Sequence, residues 1–142
     1  MAVAVCATYL SYGASVSWAL SGVTASPDNA AAAGWVAYFM DGSTYDAFSA
    51  LSADKVADYA TANYTYTATA SSGRTGVGVT QTAGTYSPGD DVSAYVIIFD
   101  SSDASTAMNY AATSVLSTQV PAAGSTFSMA WTFSTTTSGW QS

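Results

Sequence analysis

The chain has 142 residues with two basic and nine acidic side chains, which gives a formal net charge of −7 at pH 7. Nucleic acid is therefore excluded as a partner, because phosphate binding needs clustered Lys and Arg, and an anionic membrane surface is disfavoured for the same reason. We expect no membrane insertion, since no stretch of about 20 apolar residues is present. The length fits a single domain over residues 1–142.

Aromatic residues supply most of the large apolar side chains. Ten Tyr, four Trp and five Phe are present, and charged residues make up only 8% of the chain. Disordered chains combine few aromatics with many charges, so we expect this chain to fold around aromatic residues, Val and Ala. All nine acidic residues are Asp, and there is no His or Glu. Catalysis would lack its commonest acid, base and activating groups, so we predict that the protein is not an enzyme.

Alternation of apolar and polar residues predicts about eight strands. In chain order they are 2–10, 11–20, 34–40, 62–70, 76–82, 92–99, 113–120 and 126–134. The strands 34–40 and 92–99 are apolar on both faces, which places them in the middle of the structure. Pro, Gly and Asp between the strands favour chain reversals. The pattern predicts an all-β fold, an antiparallel β-sandwich of the jelly-roll or immunoglobulin-like type.

One short helical patch is predicted within residues 43–60. Ser43 followed by Asp46 is typical of an N-cap with an acidic first turn, and Ser52 can cap a second short turn. Apolar residues recur on one face of each turn, namely Tyr45, Phe48 and Leu51, then Val56, Tyr59 and Ala60. We expect this patch to cover one end or open side of the sheets.

Both central strands run into an Asp followed by small hydroxyl residues, as AYFMDGS and YVIIFDSS. One interpretation is structural, because Asp and Ser side chains accept backbone N–H bonds where a strand ends. The other is a cation site, with Asp41 and Ser43, or Asp100 and Asp103, as ligands, since oxygen-rich loops suit Ca²⁺. We predict no cofactor, and a Ca²⁺ site remains the alternative.

The segment YFMDGST resembles the start of the metal-dependent adhesion site of von Willebrand factor A-like domains, which reads D-x-S-x-S. Asp41 and Ser43 match its first two positions, whereas Tyr45 stands where the second hydroxyl residue belongs. The resemblance implies a divalent cation held by Asp41 and Ser43. That family has a doubly wound parallel sheet with several amphipathic helices, and this chain offers one helical patch.

Exposed aromatic residues suggest a different alternative, a carbohydrate-binding module with a glycan as partner. Trp140 and Trp35 are the candidates for stacking on sugar rings, and an acidic surface rich in hydroxyls would not oppose a neutral glycan. Trp140 lies beyond the last predicted strand and beside Gly139, which makes it the better exposed candidate. A small outer-membrane β-barrel is a further alternative, because eight alternating strands fit this length.

The predicted strands are almost free of charge. Edge strands normally carry charges, Lys especially, which stop sheets from joining, but here Thr and Ser occupy those positions. The overall pattern resembles small exported bacterial surface and filament-subunit β-proteins. This resemblance implies an extracellular or cell-surface location, reached with a leader that has been removed. We therefore predict a structural or adhesive surface protein that self-associates through strand edges.

Overall fold

The computed structural model describes residues 14–21, 26–27, 34–69, 76–121, 126–132 and 139–142. Its elements, in chain order, are β1 (Ala14–Ser21), β2 (Val36–Asp41), a first 3-10 turn (Gly42–Thr44), α1 (Tyr45–Ser49), α2 (Ala53–Asn63), β3 (Tyr64–Thr69), β4 (Gly76–Tyr86), β5 (Asp91–Phe99), a second 3-10 turn (Ala104–Thr106), β6 (Tyr110–Ala112), β7 (Leu116–Gln119), β8 (Thr126–Thr132) and β9 (Trp140–Gln141). The all-β, sandwich-like fold predicted from the sequence is confirmed. The strand predicted at 2–10 lies outside the described residues.

The described strands form two sheets. The smaller has the order β4-β1-β8, in which β1 is antiparallel to β4 and parallel to β8. The larger has the order β3-β2-β5-β6-β9, and β7 also pairs with β5, beyond the end of the β6 ladder. Every pair in the larger sheet is antiparallel.

The larger sheet is covered on both faces. Successive side chains of a strand point to opposite faces, and those of β2 and β5 divide between two apolar clusters. One cluster lies between the two sheets and takes Ala37, Phe39, Val92, Ala94, Val96 and Ile98 from these strands. The other lies under the helices and takes Val36, Tyr38, Met40, Tyr95, Ile97 and Phe99. The central position predicted for these two strands is thereby explained, because each has a cover on both sides.

Aromatic residues fill the space between the sheets. Trp18 of β1 lies at the centre, with its ring 6.0 Å from Phe39, 5.7 Å from Tyr66 and 6.2 Å from Trp131, measured between centroids. The pairs with Phe39 and Tyr66 are edge-to-face, and aromatic pairs of this kind contribute about 0.5–1.5 kcal/mol beyond the area that they bury. The expectation of a core built largely from aromatic residues is met in this layer.

The helical patch covers the outer face of the larger sheet, and its start differs from the prediction. Phe48, Val56 and Ala60 are buried against that sheet. The first cap is Asp41 and not Ser43, because the Asp41 carboxylate accepts a hydrogen bond from the Ser43 backbone N–H at 2.8 Å. Helical structure therefore begins at Gly42, directly after β2.

Gly42 allows the first 3-10 turn to lie against β5. A Cβ atom at this position would overlap Ser93 Oγ and would stand 2.6 Å from Ser93 Cβ and 2.9 Å from the Ser93 backbone carbon. A rotation of the Ser93 side chain relieves only the first of these contacts. The position therefore requires Gly because of a close approach between backbones.

We predict that Gly42→Ala lowers the free energy of unfolding by about 1–3 kcal/mol, the usual cost of forcing atoms into a well-packed site. Urea denaturation followed by tryptophan fluorescence measures the change. Ser102→Ala, at an exposed loop position, is the control and should stay within about 0.5 kcal/mol of the parent. Equal unfolding midpoints for Gly42→Ala and the parent would contradict this account of the turn.

Candidate functional site

The Asp41 turn joins the end of β2 to the helices. Asp41 Oδ1 accepts hydrogen bonds from the backbone N–H of Ser43 at 2.8 Å and from its hydroxyl at 2.6 Å. The Thr44 hydroxyl donates to the Asp41 carbonyl at 2.7 Å and lies 2.9 Å from the Tyr95 hydroxyl. Burial raises the pKa of Tyr95 to about 12, so its hydroxyl stays protonated. The turn is therefore fixed both internally and to β5.

The Asp103 turn has the same hydrogen bonds, because both turns share the sequence Asp-x-Ser-Thr. Asp103 Oδ1 accepts from the Ser105 N–H at 2.9 Å and from the Ser105 hydroxyl at 2.7 Å, and the Thr106 hydroxyl donates to the Asp103 carbonyl at 3.1 Å. The bonds from Ser105 lower the pKa of Asp103. The sequence interpretation aligned Asp41 with Asp100, whereas its structural counterpart is Asp103. The repeated DGST and DAST segments were the signal that it overlooked.

Asp100 has a different role, as a buried acceptor that joins loops distant in the sequence. It is 7% exposed. Its Oδ2 accepts from the Ser26 hydroxyl and from Asn109 Nδ2, both at 2.8 Å, and its Oδ1 accepts from the backbone N–H groups of Met108 and Asn109, both at 3.0 Å. Burial alone would raise the pKa of Asp100, but the bonds from Asn109, Ser26 and Met108 outweigh it and the pKa is lowered.

The two predicted cation pairs lie at opposite ends of the larger sheet. Asp41 is opposite Ala94 near the start of β5, and Asp100 follows the end of that strand. Ala94 and Asp100 are six positions apart along an extended strand, which corresponds to about 20 Å. Within the described part of the chain, no group of three or more His, Cys, Asp or Glu side chains is placed to hold a metal ion. A Ca²⁺ site at either pair stays a prediction of the sequence.

The two tryptophans proposed to stack on sugars contact each other. Their ring centroids are 5.2 Å apart at an interplanar angle of 77°. Trp35 is 1% exposed and belongs to the cluster between the sheets, so its ring faces are closed to a ligand. Trp140 lies in β9, is half-buried and packs against the same cluster. Of the two candidates, Trp140 alone keeps exposed ring surface.

β3 forms one edge of the larger sheet. It pairs with β2, and no other strand of the described residues pairs with its second side. Thr65, Thr67 and Thr69 are exposed, whereas Tyr66 and Ala68 are half-buried against the cluster between the sheets. The strand is six residues long and contains no charge and no proline.

The opposite edge of the larger sheet is made of shorter strands. β7 has four residues and β9 has two. Asp91 is directly opposite Gln119 of β7. Short strands and adjacent charges are two of the devices that keep sheet edges from pairing with other chains. The two edges of this sheet therefore differ in length, whereas each has one Asp in the strand beside it, Asp41 in β2 and Asp91 in β5.

Charge is absent from the interior of every described strand. Asp41 is the last residue of β2 and Asp91 is the first of β5, and no other described strand has a charged residue. The remaining charges of the described chain lie in helices, turns and loops, namely Asp46, Asp54, Lys55, Asp58, Asp90, Asp100 and Asp103. Lys55 is 3.2 Å from Asp54 in an exposed ion pair on α2.

No protein-family profile, curated protein or solved structure matches this chain. Among the described helices, none has the length and apolar character needed to cross a membrane.

We predict that Asp100→Asn lowers the free energy of unfolding by about 1–3 kcal/mol near neutral pH. The NH2 group of Asn would replace one carboxylate oxygen, so the donors that bond to this oxygen would lose their acceptor. A carboxyl group whose pKa is lowered by folding stabilises above its unfolded pKa of about 3.9, and that contribution is lost as the pH falls through the folded pKa. The difference between parent and Asp100→Asn should therefore shrink between pH 6 and pH 3.

Urea denaturation at several pH values measures this difference. Asp54 and Asp103, whose pKa values are also lowered, are present in both proteins, so their contributions cancel. Asp58→Asn, at an exposed helix position, is the matched control. A difference that stays constant down to pH 3 would show that the Asp100 carboxylate does not stabilise the fold through its charge.

Proposed function

We propose that this protein is a structural or adhesive subunit of an extracellular or cell-surface assembly, and that its copies associate through strand edges. The observation that carries the proposal is β3, an uncharged edge strand of six residues with an exposed row of Thr65, Thr67 and Thr69. The extracellular location is supported by composition, which resembles that of exported bacterial surface and filament-subunit proteins.

An edge strand presents backbone N–H and C=O groups that can pair with another chain. Natural proteins usually block this pairing with Lys, Pro, an inward-pointing charge or a very short strand. The one protective feature of β3 is a bulge near its first residues. The bulge is seen in the pairing with β2, where Tyr66 is opposite Phe39 but Tyr64 is opposite Met40. The remainder of the strand, through Thr69, is regular and uncharged.

The charge distribution favours contact at the strands over contact elsewhere. Copies of a chain with a net charge of −7 repel each other. The described strands carry charge only at Asp41 and Asp91, each at a strand end, so pairing along β3 places no charged side chain in the paired stretch. Interactions between exposed charges are largely screened beyond about 8–10 Å at physiological salt. Association at this edge therefore requires no charge of β3 itself to be desolvated.

The carbohydrate-binding alternative has less support than self-association. Trp35 is enclosed in the core, and the ring of Trp140 packs against it edge-to-face. A single half-buried ring offers a small platform for a sugar. The alternative therefore depends on Trp140 alone.

We predict that the purified protein associates in a concentration-dependent manner and that Thr67→Lys weakens this association roughly tenfold or more, because a charge at the centre of β3 would have to be desolvated on pairing. Sedimentation velocity measures the association, and negative-stain microscopy shows its form. Ala62→Lys adds the same charge at an exposed position of α2 and should leave association unchanged.

Circular dichroism of both variants establishes that they remain folded. A protein that stays monomeric at every concentration would overturn the proposal. Association that Thr67→Lys and Ala62→Lys retain equally would also overturn it, since the contact would then lie away from β3.

A further inference from the structure

We infer that β3 of one copy pairs with β3 of a second copy, antiparallel and across a two-fold axis at Thr67, so that the two larger sheets become one. The inference rests on the proposed function and adds the partner strand and its register. A two-fold contact is the commonest form of self-association, and it requires a surface that is complementary to itself.

The faces of β3 restrict the symmetric registers. Tyr66 and Ala68 face the cluster between the sheets, and Thr67 is opposite Tyr38, which faces the helices. Residues directly opposite each other in an antiparallel pair point to the same face. A two-fold axis perpendicular to the sheet also keeps the helices of both copies on one side. The axis must therefore lie level with one residue, so that this residue is directly opposite its own copy in the second chain.

The bulge in β3 selects Thr67 as that residue. One extra residue, Thr65, lies between the positions opposite Phe39 and Met40, so Tyr64 is displaced from the regular part of the strand. A register centred on Thr67 pairs residues 65–69 with the same residues of the partner and leaves Tyr64 outside. A register centred on Tyr66 would shift the partner strand by two positions. The displaced Tyr64 would then lie within the paired stretch, opposite Ala68 of the second copy.

The side-chain pairs of this register fit each other. Thr67 is opposite its own copy, and Thr65 is opposite Thr69 of the second chain, so the outer face has a row of hydroxyl and methyl groups. Thr–Thr pairs across strands are favourable. On the inner face Tyr66 is opposite Ala68, which sets a large side chain beside a small one. No charged residue occurs in the paired stretch.

The neighbouring edge of the smaller sheet supports contact on this side of the molecule. β4 forms that edge, lies against β3, and has eleven residues without a charge. The other side of the larger sheet presents β7 and β9, which are short, and Asp91 lies opposite the end of β7. Two uncharged edges, the six residues of β3 and the eleven residues of β4, therefore lie together on the side that a β3–β3 contact would use.

A cysteine at the axis tests the register. Opposed residues in an antiparallel pair have Cα atoms about 4.5–5.5 Å apart, within the range that a disulfide bridges. In a Cys6→Ser background, which removes the sole native cysteine, we expect Thr67→Cys to convert most of the protein to a disulfide-linked dimer on mild oxidation. Thr69→Cys is the matched control, because its copy would lie four residues away along the strand, about 13 Å, and it should cross-link only in traces.

A mixture of Thr65→Cys and Thr69→Cys proteins provides the complementary result, since these positions oppose each other and should form a mixed disulfide. Non-reducing electrophoresis and mass spectrometry identify the products. Association without cross-linking at Thr67, or with equal cross-linking at Thr67 and Thr69, would overturn the two-fold register while leaving self-association intact. An absence of association in the Cys6→Ser protein and in the parent would overturn both.

Discussion

Burial of both faces of β2 and β5 is the constraint on which the rest of the structure depends. These strands have apolar side chains on both sides, so a single sheet with one wet face would expose half of them. The smaller sheet covers one face and the helical patch covers the other. Gly42 matters for the same reason, because the first 3-10 turn must bend the chain closely over β5 to bring the helices onto that outer face.

Aromatic residues meet this constraint in a chain that has little Leu or Ile, and they do so at a cost. The indole N–H groups of Trp18, Trp35 and Trp131 are buried and have no hydrogen-bond acceptor among the described residues. A buried donor without a partner costs about 1–3 kcal/mol. An aromatic side chain buries about 150–250 Å², which is worth about 4–6 kcal/mol at 25 cal/mol per Å². The large rings therefore stabilise the core even with their polar groups unpaired.

Sequence periodicity could predict the faces of the strands but not their neighbours. Continuous apolar runs identified β2 and β5 as buried on both sides, because that property is local. The position of β3 at an edge, and the parallel pairing of β1 with β8, depend on contacts between distant segments. The roles of the aspartates show the same difference between local contacts and contacts with distant segments. The Asp41 and Asp103 turns are set by residues two or three positions away, whereas Asp100 is defined by Ser26, 74 residues earlier.

The shortage of charge connects the core to the proposed assembly. A strand buried on both faces cannot hold charges. In this chain the edge strands also lack charged residues, so they lack the side chains that usually prevent pairing with another chain. A two-fold contact at β3 would satisfy one edge of each copy and close on itself. Growth beyond two copies then requires a second, different contact, and the described edges that remain are β4, β7, β8 and β9. Of these, β4 and β8 are the longest and carry no charge, so the smaller sheet is where an extended assembly would continue.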